Sequence, residues 1–106
     1  VMGHGGCGGV NASLSAAEDR PVGQFVGPWV QLLDSARDEV LRRGSDDPQT
    51  DLELAGVGVS IDNLMTFPFV REAVESGALE LHGAWFAIAH GELHWRDNTT
   101  KLFEKV

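Results

Sequence analysis

The sequence has one cysteine, few basic residues and no long apolar run. The single cysteine, Cys7, excludes an intrachain disulfide and fits a reducing compartment. Only 8 Lys and Arg stand beside 16 Asp and Glu, and the formal net charge of -8 argues against a surface for nucleic acid or anionic membranes. No apolar run reaches the roughly 20 residues of a membrane helix, and no secretory leader is visible at the N-terminus. We therefore expect a cytoplasmic protein that binds neither nucleic acid nor a membrane.

The composition is that of one ordinary globular domain. Hydrophobic residues make up 42% and charged residues 23% of the 106 positions. This length allows a modest core but is too short for two domains. We therefore expect residues 1–106 to belong to a single domain.

Helical spacing of apolar residues covers most of the first three quarters of the chain. The long second helix is expected to have Pro28 in its first turn, where the missing N–H costs nothing, and to end at Gly44. Pro68 interrupts the pattern near its end and restarts it. The predicted helices are residues 10–17, 28–43, 50–65 and 69–76.

The remaining segments indicate strands, but too few to close a sheet. Residues 1–2 resemble the end of a buried strand, and residues 78–89 change from alternating to continuously apolar, which is typical of a buried strand. His90-Gly91 suits a two-residue turn before a returning strand at 92–96, and the tail from 97 to 106 is compatible with a short docked helix. The pattern predicts an α/β fold in which strands beside residues 1–2 are missing.

The chemistry of the chain concentrates in a glycine cluster that contains His4 and Cys7. Imidazole and thiolate are preferred zinc ligands, and the glycines let the backbone turn tightly around a common point. Gly8 and Gly9 open the first helix, so their free N–H groups favour a bound anion beside the metal. This arrangement suits chemistry on a small oxygen-rich molecule. A zinc site normally takes at least three protein ligands, however, so His4 and Cys7 form only part of one.

A second interpretation of the same cluster is dinucleotide binding. Residues 3–8 satisfy the pattern G-x-G-x-x-G after a strand and before a helix. A second parallel strand ending in an acidic residue should follow about 20 residues later, and none is present. The dinucleotide interpretation is therefore disfavoured.

The other histidines and the tryptophans are interpreted as structural. His82, His90 and His94 have no second ligand at metal-site spacing, and they fall on predicted strands or a turn. The three tryptophans occur in apolar patterns typical of core or interface residues. The acidic residues are scattered over helix faces and are interpreted as solvated surface.

Several segments, in order, resemble one known family. Residues 1–10 closely resemble the second zinc-ligand motif of the β-class carbonic anhydrases, a strand that ends in G-H-x-x-C-G-G/A. Residues 24–29 are similar to the segment that follows this motif in bacterial members, and residues 60–70 to a helix with a proline break. Residues 81–86 and 91–93 resemble the closing hairpin. The resemblance covers essentially the whole chain.

The resemblance implies a fold and an activity. The implied fold is α/β, a parallel sheet with flanking helices and a C-terminal antiparallel hairpin, of which residues 1–106 would be the C-terminal part. The family binds Zn²⁺ through two cysteines and one histidine, and it uses the metal to hydrate carbon dioxide reversibly to bicarbonate.

His4 and Cys7 match the histidine and the second cysteine. Gly8 matches the glycine whose N–H lies beside the substrate. Family members form dimers and tetramers, so a homo-oligomer is implied here.

The sequence departs from the family in one respect that decides activity. The family's first motif, C-x-D-x-R, supplies the other cysteine and an Asp–Arg pair, and this motif is absent from the chain. We therefore expect carbonic anhydrase activity only when an N-terminal remainder of the same protein completes the site. The alternatives are a hydrolase of carbonyl sulfide or carbon disulfide with the same fold, and a catalytically inactive, partner-dependent fragment.

Overall fold

The computed structural model describes residues 1–106 as one four-stranded sheet and five α-helices, with the longest helix packed against the sheet. The strands are β1 (Met2–His4), β2 (Ala84–Ala87), β3 (Glu92–Arg96) and β4 (Phe103–Lys105). The helices are α1 (Gly8–Ala17), α2 (Val26–Val30), α3 (Asp34–Arg42), α4 (Pro48–Leu64) and α5 (Pro68–Glu75). None of these helices is both long and apolar enough to span a lipid bilayer.

The sheet has the order β1-β2-β3-β4 and is mixed. β1 lies parallel to β2, with Met2 opposite Ala84, whereas the β2–β3 and β3–β4 pairs are antiparallel. The expected α/β class is confirmed, and the only parallel pair is the one that carries His4. β1 is an edge strand, and Met2 is 67% exposed, so the strand predicted to be buried at residues 1–2 is open on one side.

The predicted strand at 78–89 is too long, and the predicted two-residue turn is wrong. Only Ala84–Ala87 forms a strand. β3 ends at Arg96, whose N–H donates to the Gly83 carbonyl, so the residues before Gly83 have no partner on β3. Ala87 pairs with Glu92, so the connection has four residues, and Gly91 supplies the left-handed backbone at φ 65°.

The C-terminal tail forms a strand and not the docked helix that its apolar residues suggested. The Asp97 side chain accepts hydrogen bonds from the N–H groups of Thr99 (2.8 Å) and Thr100 (2.7 Å) and so folds the chain back. These backbone N–H groups hold the pKa of Asp97 below its ordinary value. β4 then pairs with β3, with Phe103 opposite Arg96. The tail therefore completes the sheet on the side away from β1.

The helix predicted at 28–43 is interrupted by a 3-10 turn at Gln31–Leu33. On a straight α-helix, Val30 and Val40 would lie about 80° apart around the axis, at about 100° per residue. Three residues at about 120° each reduce this separation to about 20°. The interruption thus lets both valines, which are buried, face the core.

The other helices were predicted correctly to within two residues at each end. α4 begins at Pro48 because Asp47 caps it, accepting a hydrogen bond from the Thr50 N–H at 3.2 Å. α5 lies between Pro68 and Gly77, as expected. α4 packs against α1, α3, β1 and β2, and it is the centre of the core. The buried apolar residues are Val10, Val30, Val40, Leu52, Val57, Ile61, Val70, Ala84 and Ala87.

Gly83 lies against Val57 and Ile61 of α4, and we expect Gly83→Ala to destabilise the fold. A Cβ at this position would lie 2.7 Å from Val57 Cγ1 and 3.1 Å from Ile61 Cδ1. Overpacking of this kind costs about 1–3 kcal/mol. Urea unfolding monitored by circular dichroism would measure the loss.

Gly58→Ala is the matched control, because its Cβ would meet only Arg96 Nη2 at 3.5 Å, and alanine favours the helix by about 1 kcal/mol. Equal stability of the two variants would contradict the expectation.

Candidate metal centre

The glycine cluster forms a tight turn between β1 and α1. His4 is the last residue of β1, and Cys7 is the N-cap of α1. The Gly5 N–H donates to the Phe86 carbonyl at 2.8 Å, which holds the turn against β2. Gly6 has a φ of 70°, a conformation that residues with a side chain rarely adopt. The local sequence therefore places His4 and Cys7 at the two ends of one short turn.

His4 and Cys7 line the same cleft. Its wall is formed by α1, α4 and β1, and it also includes Glu53 and apolar side chains. The Nδ1 atom of His4 lies 3.3 Å from the Gly5 carbonyl oxygen. If Nδ1 carries the proton it donates there, and the Nε2 lone pair is left for a metal. The Cys7 thiol makes no capping hydrogen bond, so it is not used to close the helix.

Gly8 begins α1 at an exposed position. No atom lies within 4 Å of the place where a Cβ at Gly8 would stand, so the space beside its backbone is open. The first N–H groups of an α-helix have no partner within the helix, and its N-terminus favours an anion. The Cys7 Sγ lies 3.8 Å from an ideal Cβ position on Gly9, which puts the thiol against this same helix end.

Glu53 is the residue at this site that the sequence interpretation missed. It was grouped with the solvated acidic residues, but it is only 4% exposed. Its carboxylate accepts hydrogen bonds from the Cys7 N–H (3.0 Å), Gln49 Nε2 (2.7 Å) and Trp85 Nε1 (3.2 Å). One signal could have revealed it: Glu53 lies four residues before Val57, on the apolar face of α4.

The remaining histidines lie away from this cleft. The His82 ring contacts Trp95, with ring centroids 5.3 Å apart, and lies 3.1 Å from the Glu80 carboxylate. The His94 ring packs against Trp85 at 5.1 Å. His90 is exposed in the β2–β3 connection. None of the three lines the cleft with His4 and Cys7.

The donor set fits zinc in kind but not in number. An imidazole and a thiol border one cleft beside a helix N-terminus, as a zinc site requires. No three His, Cys, Asp or Glu residues of the chain form a group that could hold a metal ion. Glu53 does not supply the third ligand, since both of its carboxylate oxygens already accept hydrogen bonds. The cleft therefore brings together two side chains of the kinds that bind zinc, and the chain supplies no third beside them.

Two solved structures share this arrangement of strands and helices. The β-carbonic anhydrase CcaA superposes with a TM-score of 0.89 at 24% identity, over 100% of this chain and 49% of its own. One of two tetrameric β-carbonic anhydrases from the fungus Sordaria macrospora superposes with a TM-score of 0.68 at 28% identity, over 89% of this chain and 49% of its own. The fold is thus that of the β-carbonic anhydrases.

Sequence comparison agrees with the fold. The carbonic anhydrase family model matches residues 1–93. Beta carbonic anhydrase 3 of Arabidopsis thaliana is 34% identical over 98 residues, which is 86% of this chain and 38% of the plant protein. The chain belongs to the carbonic anhydrase family, in its β class. It spans half or less of the length of these relatives.

Proposed function

We propose that this chain is the C-terminal part of a β-carbonic anhydrase domain, and that the complete protein hydrates carbon dioxide reversibly to bicarbonate. The observation that carries the proposal is the shared cleft of His4 and Cys7 at the N-terminus of α1. The family assignment and the fold support the same activity. The chemistry that zinc supplies when bound is activation of water for attack on carbon dioxide.

In this proposal each part of the turn has its own role. His4 binds zinc through the imidazole nitrogen that does not face Gly5, and Cys7 binds it as a thiolate. The N–H of Gly8 orients an oxygen of carbon dioxide or bicarbonate, because a first-turn N–H has no partner within the helix and the space beside Gly8 is open. Apolar side chains form part of the cleft wall, and they would help to exclude bulk water once the N-terminal segment is in place.

The proposal requires an N-terminal segment with the C-x-D-x-R motif. The chain has no second cysteine and no three-ligand cluster, so it holds zinc weakly by itself. The motif's cysteine would complete the ligand set, and its Asp–Arg pair would orient the attacking water. On its own, the chain is the inactive, partner-dependent fragment considered above.

We also propose that the complete protein is a homodimer or tetramer. Large apolar side chains of the α2 region are exposed, with Trp29 at 73% and Phe25 at 82%. Exposed apolar groups of this size typically mark association surfaces. The Sordaria macrospora relatives are described as tetrameric, which agrees with this part of the proposal.

The test is stopped-flow carbon dioxide hydration combined with zinc analysis. The chain would be measured alone and after fusion to an N-terminal segment that carries C-x-D-x-R, hereafter the joined protein. We expect about one zinc per joined protein, the stoichiometry of one three-ligand site, and carbon dioxide hydration that the chain alone lacks. Full zinc loading without hydration would contradict the proposed activity, and carbonyl sulfide should then be assayed as the substrate.

A further inference from the structure

The Cys7 backbone is held on both sides by one turn of α4. Glu53 Oε2 accepts the Cys7 N–H at 3.0 Å, and Gln49 Nε2 donates to the Cys7 carbonyl at 3.0 Å. Gln49 and Glu53 are four residues apart on α4 and therefore stand on the same face of the helix. They also bond to each other, with Gln49 Nε2 2.7 Å from Glu53 Oε2. We call this pair the α4 clamp.

Both members of the α4 clamp pay a desolvation penalty for their positions. Glu53 is 4% exposed and forms no ion pair, so three neutral donors alone compensate its buried carboxylate. Gln49 faces two oxygen acceptors, and this fixes its amide with Nε2 toward them. Its own Oε1 is buried without a partner. Apolar side chains at these two positions would avoid both desolvation penalties. We therefore interpret the two polar side chains as holding the Cys7 backbone in a way that packing alone does not.

The clamp also ties the turn to the sheet. Trp85 Nε1 donates to Glu53 Oε1 at 3.2 Å from β2, next to β1. The Trp85 ring lies against the backbone of the turn, 3.4 Å from an ideal Cβ position on Gly5. A turn with several glycines is intrinsically free to move. The hydrogen bonds from α4 and the contact from β2 restrict the motion of the turn at both of its ends.

We propose that the α4 clamp is a positioning device that holds the Cys7 backbone so that its Sγ faces the cleft ready for zinc. Glu53 and Gln49 are positioning residues and not ligands, because Glu53 Oε2 and Gln49 Nε2 bond to the Cys7 backbone and to each other, and Glu53 Oε1 bonds to Trp85. The inference rests on the proposed function for the role of Cys7 as a ligand. The hydrogen bonds of the α4 clamp are present in the chain without a bound metal.

The first experiment needs no metal. Amide hydrogen exchange of Cys7 would be measured by NMR in the 106-residue chain and in Glu53→Gln. We expect the Cys7 amide to exchange at least about 10-fold faster in the variant, since its acceptor is weakened. Asp62→Asn is the matched control, because it removes the same charge from an exposed position on α4. An unchanged Cys7 exchange rate in folded Glu53→Gln would overturn the proposal.

The second experiment measures metal binding in the joined protein. Cobalt(II) replaces zinc, and the thiolate-to-cobalt absorption band reports the bond to Cys7 directly. We expect Glu53→Gln and Gln49→Leu each to weaken cobalt affinity about 10- to 100-fold, the range typical of partners behind a metal ligand. Asp62→Asn should leave both affinity and band unchanged. Wild-type affinity and band in Gln49→Leu would overturn the proposal even if Glu53→Gln fails to fold.

The two proposals can fail separately. Equal cobalt affinity in the wild type and in Cys7→Ser would refute the zinc site, while the amide exchange of Cys7 would still report whether the α4 clamp holds the turn. Loss of cobalt in Cys7→Ser together with wild-type binding in both clamp variants would refute the clamp alone.

Discussion

Cys7→Ser is expected to lower the zinc affinity of the joined protein by more than about 100-fold. The loss exceeds the 10- to 100-fold effect typical of groups behind a ligand, because a ligand itself is removed. A serine hydroxyl stays protonated near neutral pH and is a poor ligand for zinc, which prefers thiolate, imidazole or carboxylate. Competition with a chromophoric chelator measures the affinity.

The same substitution should not harm the fold, and this separates metal loss from unfolding. Cys7 is the N-cap of α1 but makes no capping hydrogen bond, and serine is one of the residues that N-cap positions favour. Urea unfolding of the metal-free Cys7→Ser chain should therefore show wild-type or slightly higher stability. Asn11→Ser, an exposed change one turn along α1, controls for the added hydroxyl. Wild-type zinc affinity in Cys7→Ser would show that Cys7 is not a ligand at the proposed site.

Leu52→Ala is expected to produce the largest loss of stability in the chain. Leu52 is 0% exposed on α4, the helix that contacts both α1 and the sheet. Removing a buried leucine side chain costs about 2–5 kcal/mol through lost transfer energy and the cavity left behind. Such a loss is a large fraction of the 5–15 kcal/mol that typically stabilises a domain. Urea unfolding monitored by circular dichroism at 222 nm measures it.

Leu102→Ala is the matched control for this prediction. It makes the same chemical change at a side chain that is 64% exposed, so we expect a change within about 0.5 kcal/mol. Alanine is at least as favourable as leucine in a helix, so helix propensity cannot account for a loss at Leu52. Similar midpoints for the two variants would show that α4 does not anchor the core.

Elements with local signals could be predicted from the sequence. α5 lies between Pro68 and Gly77, which act on the backbone directly, and α4 repeats its buried residues at Val57 and Ile61. β4 and the 3-10 turn have no such local signal. Phe103 is in a strand that pairs with β3 opposite Arg96, and the turn at 31–33 lies between two buried valines, Val30 and Val40. Both depend on partners elsewhere in the chain.

The same distinction holds at the candidate site. His4 and Cys7 could be grouped because the glycines between them make a turn within one short segment. The residues that hold this turn are distant in the sequence. Gln49 and Glu53 lie 42 and 46 positions after Cys7, and Phe86 lies 81 positions after Gly5. Sequence spacing carries no information about pairs so distant. Only the folded chain shows that an acidic residue on α4 belongs to the site.

The pairing of β1 with β2 has a consequence for the order of folding. Met2 and Ala84 are partners 82 positions apart in the sequence, so their contact closes a very long loop. Such contacts form late, because the chain loses conformational entropy on closing the loop before the favourable interactions of the contact can offset that loss. His4 precedes Phe86, its partner on β2, by 82 positions, so β1 has no partner in the sheet until β2 has been synthesised. The turn that carries His4 and Cys7 is therefore held in its final geometry only after both α4 and β2 have been made.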